Sequence, residues 1–229
     1  MSSFPVPDGP HNDDWKRLVD LARIVMAEAC PDEDVANFVQ VGGGSMLLRR
    51  YRHRRSRDLD LFVPDVRIVR ACSPRFNDAA GDLFPDYAED AASVKLVIGL
   101  QEIDIIAAAP LFDPAAGLDP EPLPGWPIRV ERPREILAKK LAYRGRRLQP
   151  RDVFDLAAVA AVEPEEVAAA LAVLHRGQVE AIRVRLAEFS ADFATEIALR
   201  VDAYPEFVDI RDDCLTIVRD VFAGLPDPH

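Results

Sequence analysis

Cysteine is scarce in this 229-residue chain, and Cys30, Cys72 and Cys214 stand far apart, none in a Cys-x-x-Cys pair. That spacing excludes a disulfide scaffold and offers no zinc-binding pattern, and the four histidines are equally scattered. The expectation is reduced, structural thiols in a cytoplasmic protein. No apolar run approaches the roughly 20 residues that a membrane span requires, so no membrane partner is expected. Met1 to Pro10 has neither a basic n-region nor an apolar h-region. It is read as a frayed tail rather than a signal peptide. Internal repeats and low-complexity segments are also missing. What is present is enough chain to bury a substantial core without disulfides, as one large domain or two small ones.

A net charge of −11 sets the chain as a whole against nucleic acid. The charge is unevenly spread, however. Six arginines fall between Arg49 and Arg57, which leaves about −17 on the remainder. A basic island in an acidic protein can draw a polyanion to one spot. The alternative is a solvated helix face balanced by neighbouring carboxylates.

Hydrophobic periodicity organises the rest. Residues 14–29 place Leu18, Leu21, Ala22, Val25 and Met26 on one side of a helix. Phe38 to Val41 reads as a short strand and Ser45 to about His53 as a helix. Leu59, Leu61 and Val63 form the apolar face of a second strand closed by Pro64. Asp65 to Glu89 is irregular, with one helix and an acidic loop expected. Ser93 to Ile98 and Glu102 to Ala107 read as a hairpin turning near Gly99, with Glu102, Asp104 and Ile106 on one face. Pro110 to Pro127 reads as loop, and Ile128 to Glu131 as a fifth short strand. Beyond Pro133 the pattern is helical, punctuated at Pro150, Pro164, Gly177 and Pro205. The expected fold class is α+β: a mixed sheet flanked by helices over residues 1–131, then a helical domain over residues 132–229.

Two features of the first half carry chemistry. Gly42-Gly43-Gly44-Ser45 follows a strand, and such a turn can hold a phosphate chain on backbone N–H groups. A tight turn alone needs one or two glycines, not three with a serine. No Lys follows, so this is not the P-loop of an ATPase. Asp58-Leu59-Asp60 then sets two carboxylates on one side of an apolar strand. Like charges side by side are unfavourable unless a cation or basic groups neutralise them. Asp104 lies on another strand of the same texture. If the strands are neighbours, three carboxylates converge, as a two-metal nucleotidyl transfer requires. Mg²⁺ (or Mn²⁺) is satisfied by a few carboxylates plus substrate phosphates and water. Glu102 shares the face of Asp104, so either could be the third carboxylate. The bland alternative pairs Asp58 with Arg57 or Arg55 and leaves Asp60 at a sheet edge.

Gly43-Gly44-Ser45, Asp58-Leu59-Asp60 and Asp104 together resemble the signature of the DNA polymerase β-like nucleotidyltransferase superfamily. Glu135-Ile-Leu-Ala-Lys-Lys140-Leu-Ala-Tyr-Arg144, followed by Arg151-Asp152-Val-Phe-Asp155-Leu156, is similar to the AbiEii/AbiGii-type toxin nucleotidyltransferases. The similarity spans roughly residues 40–160. It implies a nucleotidyltransferase fold and an NTP co-substrate. Gly43, Gly44 and Ser45 would contact the triphosphate, and Asp58, Asp60 and Asp104 would bind the metal, Asp104 also serving as a possible general base. Lys140 would grip the triphosphate, Asp152 would support the site, and Asp155 would cap or brace helices. Lys95 is a weaker triphosphate or acceptor contact. Lys139 and Lys140 otherwise read as one solvated and one snorkelling lysine.

The resemblance further implies a toxin with a cognate antitoxin, acting on an RNA such as the 3′ end of a tRNA. Arg49, Arg50, Arg52, Arg54 and Arg55 are then the expected acceptor strip. A small-molecule acceptor of the aminoglycoside kind, a protein hydroxyl, or a non-catalytic interaction protein on the same fold are the competing readings. Nucleotide preference has no visible motif.

Overall fold

The computed structural model describes residues 14–190 and 192–225; the expected N-terminal tail, Met1 to Pro10, lies outside them. The chain opens with α1 (Asp14–Ala29), β1 (Gln40–Gly42), α2 (Gly43–Tyr51) and β2 (Leu59–Val63). It continues through α3 (Val66–Ala71), α4 (Asp78–Leu83), β3 (Asp86–Glu89), β4 (Ser93–Ile98) and β5 (Gln101–Ala107). After α5 (Pro114–Gly117) and β6 (Arg129–Val130) come α6 (Pro133–Arg144), α7 (Pro150–Val162), α8 (Pro164–Ala172), α9 (Arg176–Glu188), α10 (Phe193–Arg200) and α11 (Val208–Ala223).

The six strands form one sheet in the order β3-β4-β5-β2-β1-β6. It is mixed: β2 runs parallel to β5 and β1 parallel to β6, while the other pairs are antiparallel. Alternation decides which face is which. Leu59, Leu61, Ile103, Ile105, Val94 and Leu96 are wholly buried. Helices α1 and α3 pack on the sheet. Burying each of these side chains stabilises the fold by about 1.5–3 kcal/mol. The intervening residues Asp60, Phe62, Lys95, Asp104 and Ile106 are only half-buried, on the opposite face.

The helix over 14–29, the hairpin turning through Gly99 and the α+β class match the sequence reading. Helix α2 begins two residues earlier than expected, at Gly43. The region from Asp65 to Glu89 departs most. It holds two helices and the edge strand β3. All four residues of β3 are exposed, so it has no apolar face to betray it. Gly177 does not break a helix; it lies in the first turn of α9, capped by His175. Pro133, Pro150 and Pro164 each stand at a helix start, where a missing N–H costs nothing. Among the described residues all strands lie before residue 131, yet one apolar core joins the sheet to α6, α7 and α11. No helix of the described residues is long and apolar enough to cross a membrane.

Candidate active site

The half-buried face of the sheet, with α6, α7 and the segment between α2 and β2, lines a cavity of about 520 Å³. Its floor is a pair of carboxylates. Asp60 on β2 and Asp104 on β5 are register partners across a parallel ladder, so their side chains stand together on one face. Burial, and then the charge of Asp104, push the Asp60 carboxyl above its ordinary value; Lys140 and Arg144 pull the other way. Asp58 stands just before the strand. Its carboxylate accepts a backbone N–H from Glu102, and burial and the Glu102 charge raise its pKa. Lys95, the register partner of Asp104 on β4, donates to Asp104 at 3.0 Å and to Glu102. Asp104 is therefore the carboxylate opposite Asp60, and Glu102 stands beside Asp58.

The glycine turn has an unexpected reason. Gly43 adopts φ +70, a conformation L side chains disfavour, and a Cβ there would collide with the Asp60 carboxylate. A Cβ on Gly42 would collide with Glu131. Close approach of carboxylates requires glycine here. Ser45 is wholly buried, and its hydroxyl hydrogen-bonds Ser56 Oγ at 3.1 Å and the carbonyl of Asp58. The hydroxyl thus fixes the backbone of Asp58.

Behind the floor lies a compact ionic brace. Lys140 Nζ meets Asp152 at 2.7 Å and Asp155 at 3.1 Å. Asp155, wholly buried, accepts from Arg54 Nε at 2.6 Å and Nη2 at 2.9 Å, and from His53 Nε2 at 2.8 Å. Burial alone would raise the Asp155 carboxyl, but Arg54 and Lys140 hold it well below the ordinary value. Burial lowers the His53 pKa, so the imidazole is neutral. Asp152 closes a capping box at the start of α7 by accepting the Gln149 N–H at 3.0 Å. Burial opposes its charge, yet Lys140 keeps its pKa low. Asp152 and Asp155 thus hold the ammonium of Lys140, a residue that lines the cavity.

Lys139 departs from the sequence reading. It is buried rather than solvated, paired to Glu131 and, at 3.4 Å, to Glu135, with its ammonium 3.9 Å from the centre of the Phe62 ring. Burial pushes Glu131 up to about 7. The arginine strip is also split. Arg50 forms salt bridges to Glu163 at 2.9 Å and Asp119 at 3.5 Å, and Arg52 lies over the Tyr204 ring. Arg54, Arg55 and Arg57 line the cavity, whereas Arg49, Arg50 and Arg52 do not. Arg54 is already held by Asp155, and Arg55 pairs with Asp202 at 3.2 Å.

Residues 25–227 match the family model described as the nucleotidyl transferase AbiEii toxin of type IV toxin–antitoxin systems. The chain belongs to the AbiEii family. It is accordingly a nucleotidyltransferase of the toxin type, and the family implies a cognate antitoxin. No curated protein sequence matches the chain significantly. Solved structures of similar shape include MenT4, a nucleotidyltransferase toxin of Mycobacterium tuberculosis H37Rv, at 16% identity and TM-score 0.45, covering 95% of this chain and 87% of that one. JHP933 of Helicobacter pylori gives 13% identity and TM-score 0.44 over 91% and 93%. ANT(2″)-Ia in complex with adenylyl-2″-tobramycin gives 20% and 0.39 over 73% and 95%.

In this AbiEii chain the donor set suits a hard cation. Among the described residues no three acidic, cysteine or histidine groups form a ready-made cage. Mg²⁺ needs only one or two carboxylates, with phosphates and water completing its shell. Asp60 and Asp104, adjacent and facing the cavity, meet that need. Sequence reasoning missed Glu131, Glu135 and Phe62. Phe62 follows Asp60 at i+2 and Glu135 precedes Lys139 at i,i+4, and those spacings could have found their parts; Glu131 carries no local signal.

Proposed function

We propose that this nucleotidyltransferase moves a nucleoside monophosphate from an NTP to a hydroxyl of an RNA, at the 3′ end of a tRNA in the cytoplasm. The observation that carries the acceptor class is charge. Of the nine Lys and Arg that line the cavity, six are already held by carboxylates, which leaves three arginines for a ligand in a chain of net charge −11. Arg57, Arg144 and Arg151 line it without a salt bridge or hydrogen bond among the described residues. Such a lining draws a polyanion and repels a cationic small-molecule acceptor. Arg55 and Arg57 take the place of the longer strip expected from sequence.

Asp60 and Asp104, with Asp58 as the outlying third carboxylate, would hold Mg²⁺ or Mn²⁺, which when bound neutralises the triphosphate and lowers the pKa of the acceptor hydroxyl. Lys140 and the turn at Gly43, Gly44 and Ser45 bind the triphosphate, Lys140 as a point charge that Asp152 positions. The acceptor oxygen bonds to the α-phosphorus. The bond from that phosphorus to its bridging oxygen breaks, and pyrophosphate leaves with the electron pair. Asp104 takes the proton from the acceptor hydroxyl.

The test is incubation with total RNA, each labelled NTP and Mg²⁺. Label should enter a tRNA-sized band with the wild type and not with Asp60→Ala. Label in protein bands or small molecules, with none in RNA, would overturn the acceptor assignment.

A further inference from the structure

The cavity changes character in one step. Along the β2–β5 ladder, Asp60 pairs with Asp104 and the next rung on the same face pairs Phe62 with Ile106. Two residues of strand advance about 7 Å. Helix α6 repeats the step on the third side: Ile136 lies one turn before Lys140, about 6 Å along the axis. On all three elements a charged row gives way to an apolar row in one cavity. Phe62 and Ile106 are only half-buried, although their neighbours Leu61 and Ile105 are wholly buried. An apolar rung left open beside a phosphate-transfer site matches a ligand with an anionic end and a flat, weakly polar end. The step is comparable to the span of one ribose.

The aromatic ring is also held in place. Lys139 sits over it, fixed by Glu131 and Glu135, and Glu135 is fixed in turn by the N–H groups of Leu111 at 2.9 Å and Phe112 at 3.0 Å. Lys139 also lines the cavity, so the group that fixes the ring borders the same space.

We propose that Phe62, Ile106 and Ile136 form a nucleobase subsite, with Lys139 holding the Phe62 ring in place. The base has two sources: that of the NTP, which follows from nucleotidyl transfer alone, or the terminal base of the RNA, which rests on the acceptor reading above. The full chain is titrated calorimetrically with each NTP and with tripolyphosphate, which has no base, in Mg²⁺. Ile106→Ala, which trims a half-buried side chain, is compared with Phe62→Leu. If the subsite holds the base of the NTP, NTP affinity falls about tenfold while tripolyphosphate binding is unchanged. If it holds the acceptor base, NTP affinity is unchanged and the KM for RNA rises about tenfold. Wild-type behaviour in both assays overturns the proposal, as does equal weakening of NTP and tripolyphosphate. Selective loss of NTP affinity in Tyr143→Ala, with Ile106→Ala silent, also overturns it by placing the base at the mouth. Where the wild type labels no RNA, the acceptor reading fails and the NTP titration alone decides the subsite.

Discussion

The acid floor and the ionic brace behind it are built from the same residue types and balanced in opposite ways. On the floor, Asp60 faces Asp104 and Asp58 stands beside Glu102, with Lys95 bonded to Asp104 and Glu102 alone among the four. In the brace, Asp155 is met by Arg54, Lys140 and a neutral His53, and Asp152 by Lys140. The Asp58 and Asp60 pKa values rise on the floor, and those of Asp152 and Asp155 fall in the brace. Unmet charge marks where a ligand completes the structure, and met charge marks where the fold is held.

The largest test of this contrast is Asp60→Ala. Nucleotidyl transfer should fall by at least about 10²-fold, since removing one electrostatic stabiliser costs that much. The melting temperature should hold or rise, because a crowded like charge is relieved. A parallel loss of stability would show that Asp60 belongs to the brace instead.

Asp155→Ala should do the reverse. It strands Arg54 and Lys140 in a buried setting, and breaking such a pair costs about 3–5 kcal/mol. Chemical denaturation measures the loss, and a change under about 1 kcal/mol would end the claim that this cluster is a brace.

Acid sharpens the same difference. The folded pKa of Asp155 lies below its ordinary value of 3.8. Its stabilisation is therefore complete above the unfolded value and is lost as pH falls through the folded one. Wild-type stability should decline below pH about 4. Asp155→Asn, already weakened at neutral pH, should show a flatter acid limb. Equal slopes for the two proteins would place the acid sensitivity elsewhere.

Smaller effects separate the arginines. Arg151→Ala should raise the KM for RNA severalfold and make the salt dependence of binding shallower by about one phosphate contact. Arg50→Ala removes a partly exposed salt bridge to Glu163 on another surface. It should cost about 1 kcal/mol or less and leave transfer unchanged. An Arg50→Ala enzyme that loses RNA while Arg151→Ala does not would restore the strip read from sequence.

The sequence by itself determined the α+β class, the helix over residues 14–29, the hairpin through Gly99 and the shared face of Glu102, Asp104 and Ile106. Each is a matter of local periodicity, which no distant contact can reverse once an apolar face must be buried. Spacing on short strands also singled out Asp58, Asp60 and Asp104 as candidates, while Lys140 and Asp152 came from the family resemblance. Tertiary structure alone decided partners. Arg54 meets Asp155 across 101 positions and Arg50 meets Glu163 across 113, so no window of sequence separates a ligand-binding arginine from a structural one. The same holds for adjacent Lys139 and Lys140. One helix places them side by side, and only the folded positions of Phe62, Glu131 and Asp155 assign one to the Phe62 ring and the other to the brace. Gly42-Gly43-Gly44-Ser45 was legible as a special turn, but its cause was not. The carboxylates of Glu131 and Asp60 that exclude a Cβ reach the turn only when the sheet assembles.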